Sequence, residues 1–288
     1  MIWRGEFVAV VLLFYGLATN AAELAPAGKS AFTFTTWAGA ELNVRLFVPE
    51  SVASDTPVVI VMHGASRDAP RYFDDWSRAA SERNFIIAVP HFTEEDFPRS
   101  RSYNLGNVFS ADDGERVAED RWTFSAIEPL FDDIVARTGA RRTGYTLFGH
   151  SAGSQFAHRL LYFVEDNRVE RTILANAGWY TMPDPGIDYP YGIRDTGIDE
   201  EDLRRVLTAD VIVLLGDSDN DAKGHNLRKT PEAELQGPHR FARGQTFHRV
   251  AQARAKLLDA DFGWQMVFVP GAAHSNAAMT QAAAEFVE

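Results

Sequence analysis

Short runs of consecutive apolar residues, separated by longer amphipathic stretches, constrain the fold of this chain more than any other feature. Residues 58–62 read Val-Val-Ile-Val-Met and residues 211–215 read Val-Ile-Val-Leu-Leu, without polar alternation. Strands that are apolar at every position are buried on both faces, as in the centre of a parallel sheet. Because helix-like stretches alternate with such runs, the sequence predicts an α/β fold with a mostly parallel sheet and helices on both faces.

Eight strands and six helices are predicted from this alternation, with no internal repeat. The predicted strands are 32–36, 43–48, 58–62, 86–89, 145–148, 172–175, 211–215 and 265–269. The predicted helices are 72–83, 122–138, 152–165, 200–207, 246–259 and 280–287. Two long segments, 181–197 and 221–244, are predicted to be irregular, and we expect them to wall or cap a pocket.

Composition and charge exclude several classes of protein. The 288 residues are 45% hydrophobic and 24% charged, which suffices for one large domain. The formal net charge of -12 argues against a nucleic-acid partner, because phosphate binding normally requires a basic face. The chain has no cysteine, so disulfides, thiol catalysis and cysteine-ligated metals are excluded.

The N-terminal 21 residues have the pattern of a secretory signal peptide. Arg4 precedes an apolar run over residues 7–18, and small residues follow at Thr19 and Ala21. A single membrane anchor is the alternative, but the run is shorter than the roughly 20 residues that a bilayer span needs. We therefore expect a secreted or periplasmic protein whose folded domain is residues 22–288, with no stable membrane span after the signal is removed.

The pentapeptide Gly149-His150-Ser151-Ala152-Gly153 matches the G-x-S-x-G motif. In this motif a strand turns sharply into a helix and holds the serine hydroxyl exposed at a strained backbone position. Residues 143–148 before it are predicted to be a strand, and residues 152–165 after it have apolar residues at helical spacing. The context therefore favours a nucleophilic serine over a plain glycine-rich turn.

At this motif the chain resembles the α/β-hydrolase superfamily, over roughly residues 32–288. In that family the nucleophile is followed by an acid after the next-to-last core strand and by a histidine after the last. The resemblance implies Ser151 as nucleophile, His274 as base and Asp219 as acid, since Asp219 fits the family's G-x-x-D pattern. Asp217 and Asp221 on the same loop remain alternatives for the acid.

The resemblance also implies two backbone donors for the oxyanion of the tetrahedral intermediate. One is the amide of Ala152, directly after the nucleophile, and the other is the amide of Ala65 in the segment His63-Gly64-Ala65-Ser66. His63 is then a structural residue of that loop. No H-E-x-x-H or similar cluster occurs in the chain, so neither a metal nor another cofactor is expected.

Within the superfamily the chain is most similar to exported esterases of the polyhydroxybutyrate-depolymerase and feruloyl-esterase type. Members of that group commonly carry a cysteine after the His-Gly pair, where this chain has Ala65. We therefore expect hydrolysis of small or medium carboxylic esters through an acyl-enzyme intermediate, with a polymeric ester as the alternative substrate. Trp179 and Tyr180 after the sixth strand are candidate pocket residues, as are Tyr189 and Tyr191.

Three other functions are compatible with the same sequence features. A serine peptidase or an acyltransferase would use the same three residues on an amide or with another acceptor. A catalytically inactive binding protein is a further alternative, because a fold does not fix a function.

Overall fold

The computed structural model describes Met1 and residues 24–288. Apart from Met1, the predicted signal peptide, residues 1–21, lies outside the described residues. Within residues 24–288, none of the helices combines the length and the apolar composition that crossing a membrane requires.

The eight predicted strands are confirmed and form one sheet in the order β1-β2-β4-β3-β5-β6-β7-β8. The first three strands of that order pair antiparallel, and all later neighbours pair parallel. The strands are β1 Gly28–Phe34, β2 Leu42–Val48, β3 Val58–Met62, β4 Ile86–His91, β5 Tyr145–His150, β6 Val169–Ala175, β7 Val211–Gly216 and β8 Trp264–Val269.

Seven helices flank the sheet in the described part of the chain. They are α1 Ala69–Arg83, α2 Ile127–Thr138, α3 Ala152–Phe163, α4 Glu200–Thr208, α5 Pro231–Gln236, α6 Arg240–Leu257 and α7 Asn276–Ala283. Local sequence sets several of their ends. The carboxylates of Asp199 and Asp202 form a capping box at the start of α4, and α2 ends at Gly139, whose backbone has a φ of 74°.

Both faces of the central strands are buried, as their uniform apolar sequence predicts. In β3, Ile60 belongs to the core on one face and Val59 and Val61 belong to the core on the other. Helices α2, α3, α4 and α6 contribute to the first core, and α1 and α7 contribute to the second. The predicted three-layer α/β fold is therefore confirmed.

Segment 221–244, predicted to be irregular, contains a helix and the start of another. Helix α5 lies within it, and α6 begins at Arg240 rather than at residue 246. The early start of α6 is stabilised by tertiary contacts, because Arg240 and Arg243 in its first turn are buried at 4% and 0% exposure. The prediction was wrong here because arginines in a first turn normally indicate an exposed face.

Candidate active site

Ser151 lies at a sharp turn between β5 and α3, at the carboxyl edge of the sheet. Its backbone has φ 57° and ψ -115°, and α3 begins with the next residue, Ala152. A positive φ is uncommon for a residue with a side chain and is a source of local strain. The turn leaves the Ser151 hydroxyl facing a cavity while the strand before it and the helix after it are buried.

The two glycines of the motif are required by close backbone approach. A Cβ atom at Gly149 would lie 2.2 Å from the carbonyl oxygen of Gly153, and one at Gly153 would lie 2.0 Å from the carbonyl oxygen of Met62. Both distances are far below van der Waals contact. Gly149 therefore lets the elbow close on itself, and Gly153 lets it pack against strand β3, because neither position carries a side chain.

The structure brings Ser151, His274 and Asp219 into one hydrogen-bonded series. The Ser151 Oγ lies 3.1 Å from His274 Nε2, and His274 Nδ1 lies 2.7 Å from Asp219 Oδ2. Strands β7 and β8 pair in parallel, so the loops that follow them meet at the carboxyl edge of the sheet beside the elbow. The serine is thus placed to donate its proton to a histidine whose other nitrogen donates to a buried carboxylate.

The neighbouring aspartates of the same loop have other hydrogen-bond partners. Asp217 Oδ1 accepts from the Gly271 amide at 2.8 Å, and Asp221 Oδ1 accepts from the Lys223 amide at 2.8 Å. Both carboxylates therefore stabilise loop backbone. Asp219 is the aspartate of this loop that contacts His274.

Arg240 pairs with Oδ1 of Asp219, the carboxylate oxygen that does not contact His274, and the sequence pattern did not indicate this pair. Its Nη1 lies 3.5 Å from Asp219 Oδ1, and its Nη2 donates to the His225 carbonyl at 2.9 Å. Both side chains of the pair are about 5% exposed or less. Each oxygen of the Asp219 carboxylate thus has a partner, which fixes the orientation of the carboxylate toward His274.

Asn176, directly after β6, ties together the two loops that carry Asp219 and His274. Its Oδ1 accepts from the Gly216 amide at 2.9 Å, and its Nδ2 donates to the Ala273 carbonyl at 3.2 Å. The sequence pattern did not indicate this residue. A polar residue at the end of a buried strand, at the edge where the other site residues lie, is the signal that would have indicated it.

The loop that carries Ala65 lies next to the elbow. Strand β3 pairs with β5 so that Met62 stands opposite Gly149, and a Cβ at Gly64 would lie 3.5 Å from the Cβ of Ser151. Ala65 and Ala152 both line the cavity around Ser151. Ala152 is the first residue of α3, where backbone amides are free to bind an anion.

His63 holds this loop from inside the core. It is fully buried, its Nδ1 donates to the Gly64 carbonyl at 3.1 Å, and its Nε2 accepts from the Phe92 amide at 3.1 Å. Burial lowers the pKa of His63 to about 3, so the ring is neutral at ordinary pH. Tyr103 fixes the same loop, since its hydroxyl donates to the His63 carbonyl at 2.7 Å.

His150, the residue before Ser151, packs against the ring of His274. Its ring centroid lies 4.7 Å from that of His274, and its Nδ1 lies 2.8 Å from the Tyr72 hydroxyl. Burial, together with the nearby charges of His274, Arg71 and Arg240, holds the pKa of His150 well below its usual value. His150 therefore packs against His274 as a neutral ring.

A cavity of about 640 Å³ opens over Ser151. Trp179, a predicted pocket residue, lines it. Tyr180 does not line the cavity: its ring is fully buried and stacks 4.3 Å from Phe247 of α6. Tyr180 is therefore a core residue, and the prediction that it lines the pocket was wrong because its ring packs against α6.

No group of three or more histidine and carboxylate side chains within residues 24–288 is arranged to hold a metal ion.

Two solved structures resemble the chain over most of its length. Poly(aspartic acid) hydrolase-1 from Sphingomonas sp. KT-1 is 40% identical, with a TM-score of 0.89 over 91% of this chain and 99% of that chain. The poly(3-hydroxybutyrate) depolymerase LpqC from Bordetella parapertussis is 35% identical, with a TM-score of 0.86 over 92% of this chain and 90% of that chain.

More distant structures share the fold. A siderophore hydrolase from Aspergillus nidulans is 13% identical, with a TM-score of 0.55 over 93% of this chain and 96% of that chain. No family model and no curated protein matches the sequence. The identities of 40% and 35% over nearly whole chains place the protein in its family: the chain belongs to the α/β-hydrolase superfamily and has the fold of its esterase-type hydrolases.

Proposed function

We propose that the protein is a serine hydrolase that cleaves carboxylic esters, with Ser151 as nucleophile, His274 as general base and Asp219 as the orienting carboxylate. The observation that carries the proposal is the hydrogen-bonded series from Ser151 Oγ through both nitrogens of His274 to Asp219, at 3.1 and 2.7 Å. These are hydrogen-bond distances at which a serine and its base can exchange a proton.

The reaction follows from the positions of these groups. As Ser151 Oγ bonds to the ester carbonyl carbon, His274 Nε2 takes the hydroxyl proton and Asp219 stabilises the imidazolium. The amides of Ala152 and Ala65 donate to the oxyanion of the tetrahedral intermediate. Collapse of the intermediate breaks the bond to the alcohol, which leaves with the proton from His274, and water then hydrolyses the acyl-enzyme by the same steps.

The two close relatives suggest the substrate range. One is a depolymerase of poly(3-hydroxybutyrate), a polyester, and the other is a hydrolase of poly(aspartic acid), whose units are joined by amide bonds. We propose esters as the main substrates, small, medium or polymeric. Amide hydrolysis, the activity of a serine peptidase, is the second candidate because the 40% identical relative supports it.

The proposed place of action is the periplasm or the medium. This proposal rests on the signal-peptide pattern of residues 1–21.

Labelling with a fluorophosphonate, combined with turnover of p-nitrophenyl esters of increasing acyl length, tests the proposal. We expect Ser151→Ala to abolish labelling and to lower ester turnover by at least about 10⁴-fold, because it removes the nucleophile. Ser218→Ala is the matched control, since Ser218 lines the same cavity but belongs to no catalytic hydrogen bond.

Each outcome distinguishes the alternatives. Turnover of Ser151→Ala within tenfold of wild type would contradict the assignment of the nucleophile. Absence of both labelling and turnover in the wild-type protein would favour an inactive binding protein. Comparison of an ester with the anilide of the same acyl group, with and without an added alcohol, separates esterase, peptidase and acyltransferase activity.

A further inference from the structure

The cavity over Ser151 is lined by three arginines, although the chain as a whole has a formal net charge of -12. These are Arg71, Arg228 and Arg240, and the carboxylates in the same lining are Asp219 and Asp221. The local charge thus has the opposite sign to the charge of the whole protein.

Two of the three arginines already have a carboxylate partner. Arg71 Nε lies 3.3 Å from Asp68 Oδ2, and Arg240 Nη1 lies 3.5 Å from Asp219 Oδ1. Arg228 forms no ion pair with any residue in 24–288, and its side chain makes one hydrogen bond there, from Nε to the Tyr191 hydroxyl at 2.5 Å. Both terminal nitrogens of its guanidinium, which bind carboxylates as a planar fork, therefore have no hydrogen-bond partner within this range.

Aromatic rings hold Arg228 in place. Its guanidinium carbon lies 4.9 Å from the ring centroid of Trp179 and 5.5 Å from that of Tyr191. Tyr191 is itself anchored, since its hydroxyl lies 2.6 Å from Thr230 Oγ1, and Arg243 Nη2 donates to the Arg228 carbonyl at 2.9 Å. An exposed arginine held by stacking and by its own Nε loses less entropy when it binds a ligand.

We call the side of the cavity formed by Trp179 and Arg228 the Trp179 wall. Two further arginines, both buried and hydrogen-bonded to neutral groups, contact the residues of this wall. Arg159 lies with its guanidinium carbon 4.3 Å from the Trp179 centroid, and donates to Thr181 Oγ1 and to two carbonyls. Arg243 donates to three carbonyls, among them that of Gly178. Burial lowers the pKa of Arg159 to about 10, which leaves it cationic at neutral pH. These charges make the Trp179 wall of the cavity electropositive.

We propose that Arg228 binds a carboxylate group of the substrate, and that the enzyme prefers substrates with a free carboxylate near the scissile bond over neutral substrates of equal length. Arg228 is then a specificity-determining residue. The proposal rests on the proposed function, since it places the carboxylate relative to a bond cleaved at Ser151.

The kinetic test compares mono-p-nitrophenyl esters of straight dicarboxylic acids with p-nitrophenyl esters of monocarboxylic acids of the same length, after subtraction of uncatalysed hydrolysis. We expect wild type to prefer the anionic ester in kcat/KM, and Arg228→Gln to lower the ratio of the two values about ten- to a hundredfold, the range for a hydrogen bond to a charged group. Added salt should lower the wild-type ratio.

Arg249→Gln is the matched control, because it removes the same charge from an exposed position on α6 that does not line the cavity. We expect this variant to keep the wild-type ratio. Equal kcat/KM for both esters in wild type, or loss of the preference in Arg71→Gln but not in Arg228→Gln, would overturn the proposal.

A binding measurement tests the same contact without turnover. The anionic monoester is titrated calorimetrically into Ser151→Ala and into Ser151→Ala/Arg228→Gln, and we expect Kd to be about tenfold or more weaker in the double variant. Equal Kd values, or no binding by either, refute the role of Arg228. Hydrolysis of the ester by Ser151→Ala faster than the uncatalysed rate in buffer would instead refute Ser151 as nucleophile, so the two failures are distinguishable.

Discussion

Replacement of Asp219 by asparagine changes the charge and the hydrogen-bonding groups of this side chain without changing its size. Arg240 donates toward Oδ1 and His274 Nδ1 lies 2.7 Å from Oδ2. In the variant the amide oxygen must face the arginine, because the guanidinium offers only donors. The amide NH₂ then faces His274 Nδ1, which can accept only if the ring proton moves to Nε2. A protonated Nε2 can no longer accept the proton of Ser151.

The size of the effect follows from this change of tautomer. The same substitution in a Ser-His-Asp enzyme lowers kcat by about 10⁴-fold, or about 5 kcal/mol of transition-state stabilisation. We expect a loss of this order in kcat for Asp219→Asn. KM should change much less, since Asp219 is 4% exposed and lies behind His274. The backbone oxyanion donors remain and account for the residual rate.

Steady-state turnover of a p-nitrophenyl ester provides the assay, with thermal unfolding as the check that the variant is folded. Asp217→Asn and Asp221→Asn are the controls, since these carboxylates accept from backbone amides. We expect them to lower kcat less than tenfold. A kcat for Asp219→Asn within tenfold of wild type, or an equal loss in Asp221→Asn, would refute this account of the acid.

Two further predictions concern stability. Gly153→Ala should lower the free energy of unfolding by about 3 kcal/mol, because its Cβ would lie 2.0 Å from the Met62 carbonyl oxygen; a loss below about 1 kcal/mol in urea unfolding would contradict this. His63, His150 and His158 have pKa values lowered by burial, so below pH 6.5 the unfolded chain binds more protons than the folded one. The unfolding free energy should therefore fall by up to about 4 kcal/mol between about pH 7.5 and about pH 5.5, and a flat profile would refute this.

Most of the sheet could be predicted from the sequence because burial on both faces leaves a continuous apolar run. Strand β3 begins and ends where predicted, at Val58–Met62, and β7 extends only one residue further than predicted, to Gly216. Helix α5 was missed because its six residues are too few to show a period. Helix α7 begins four residues before its predicted start, where the Ser275 hydroxyl accepts from the Ala278 amide.

The residues of the hydrogen-bonded series around Ser151 were predictable from the sequence, because the backbone around the nucleophile requires glycines at fixed positions. The glycines of the elbow have no room for a Cβ, and strand order places the loops of Asp219 and His274 at the same edge. Arg240 has no comparable signal. It lies 21 residues from Asp219 on another element, and the contact between them depends on how α6 docks against the sheet.

The positive charge of the Trp179 wall could not be inferred from the net charge of the whole chain. Exposed charges more than about 8 Å apart are largely screened at physiological ionic strength, so the many acidic residues elsewhere contribute little inside the cavity. Arg228 and Trp179 are 49 positions apart in the chain, and the Arg159 guanidinium lies near the same ring from helix α3. Three separate segments of the chain thus meet at the Trp179 indole, and the two arginines among them make the electrostatic potential of this side of the cavity positive. A net charge of -12 for the whole chain is therefore compatible with a binding site for anions inside the cavity.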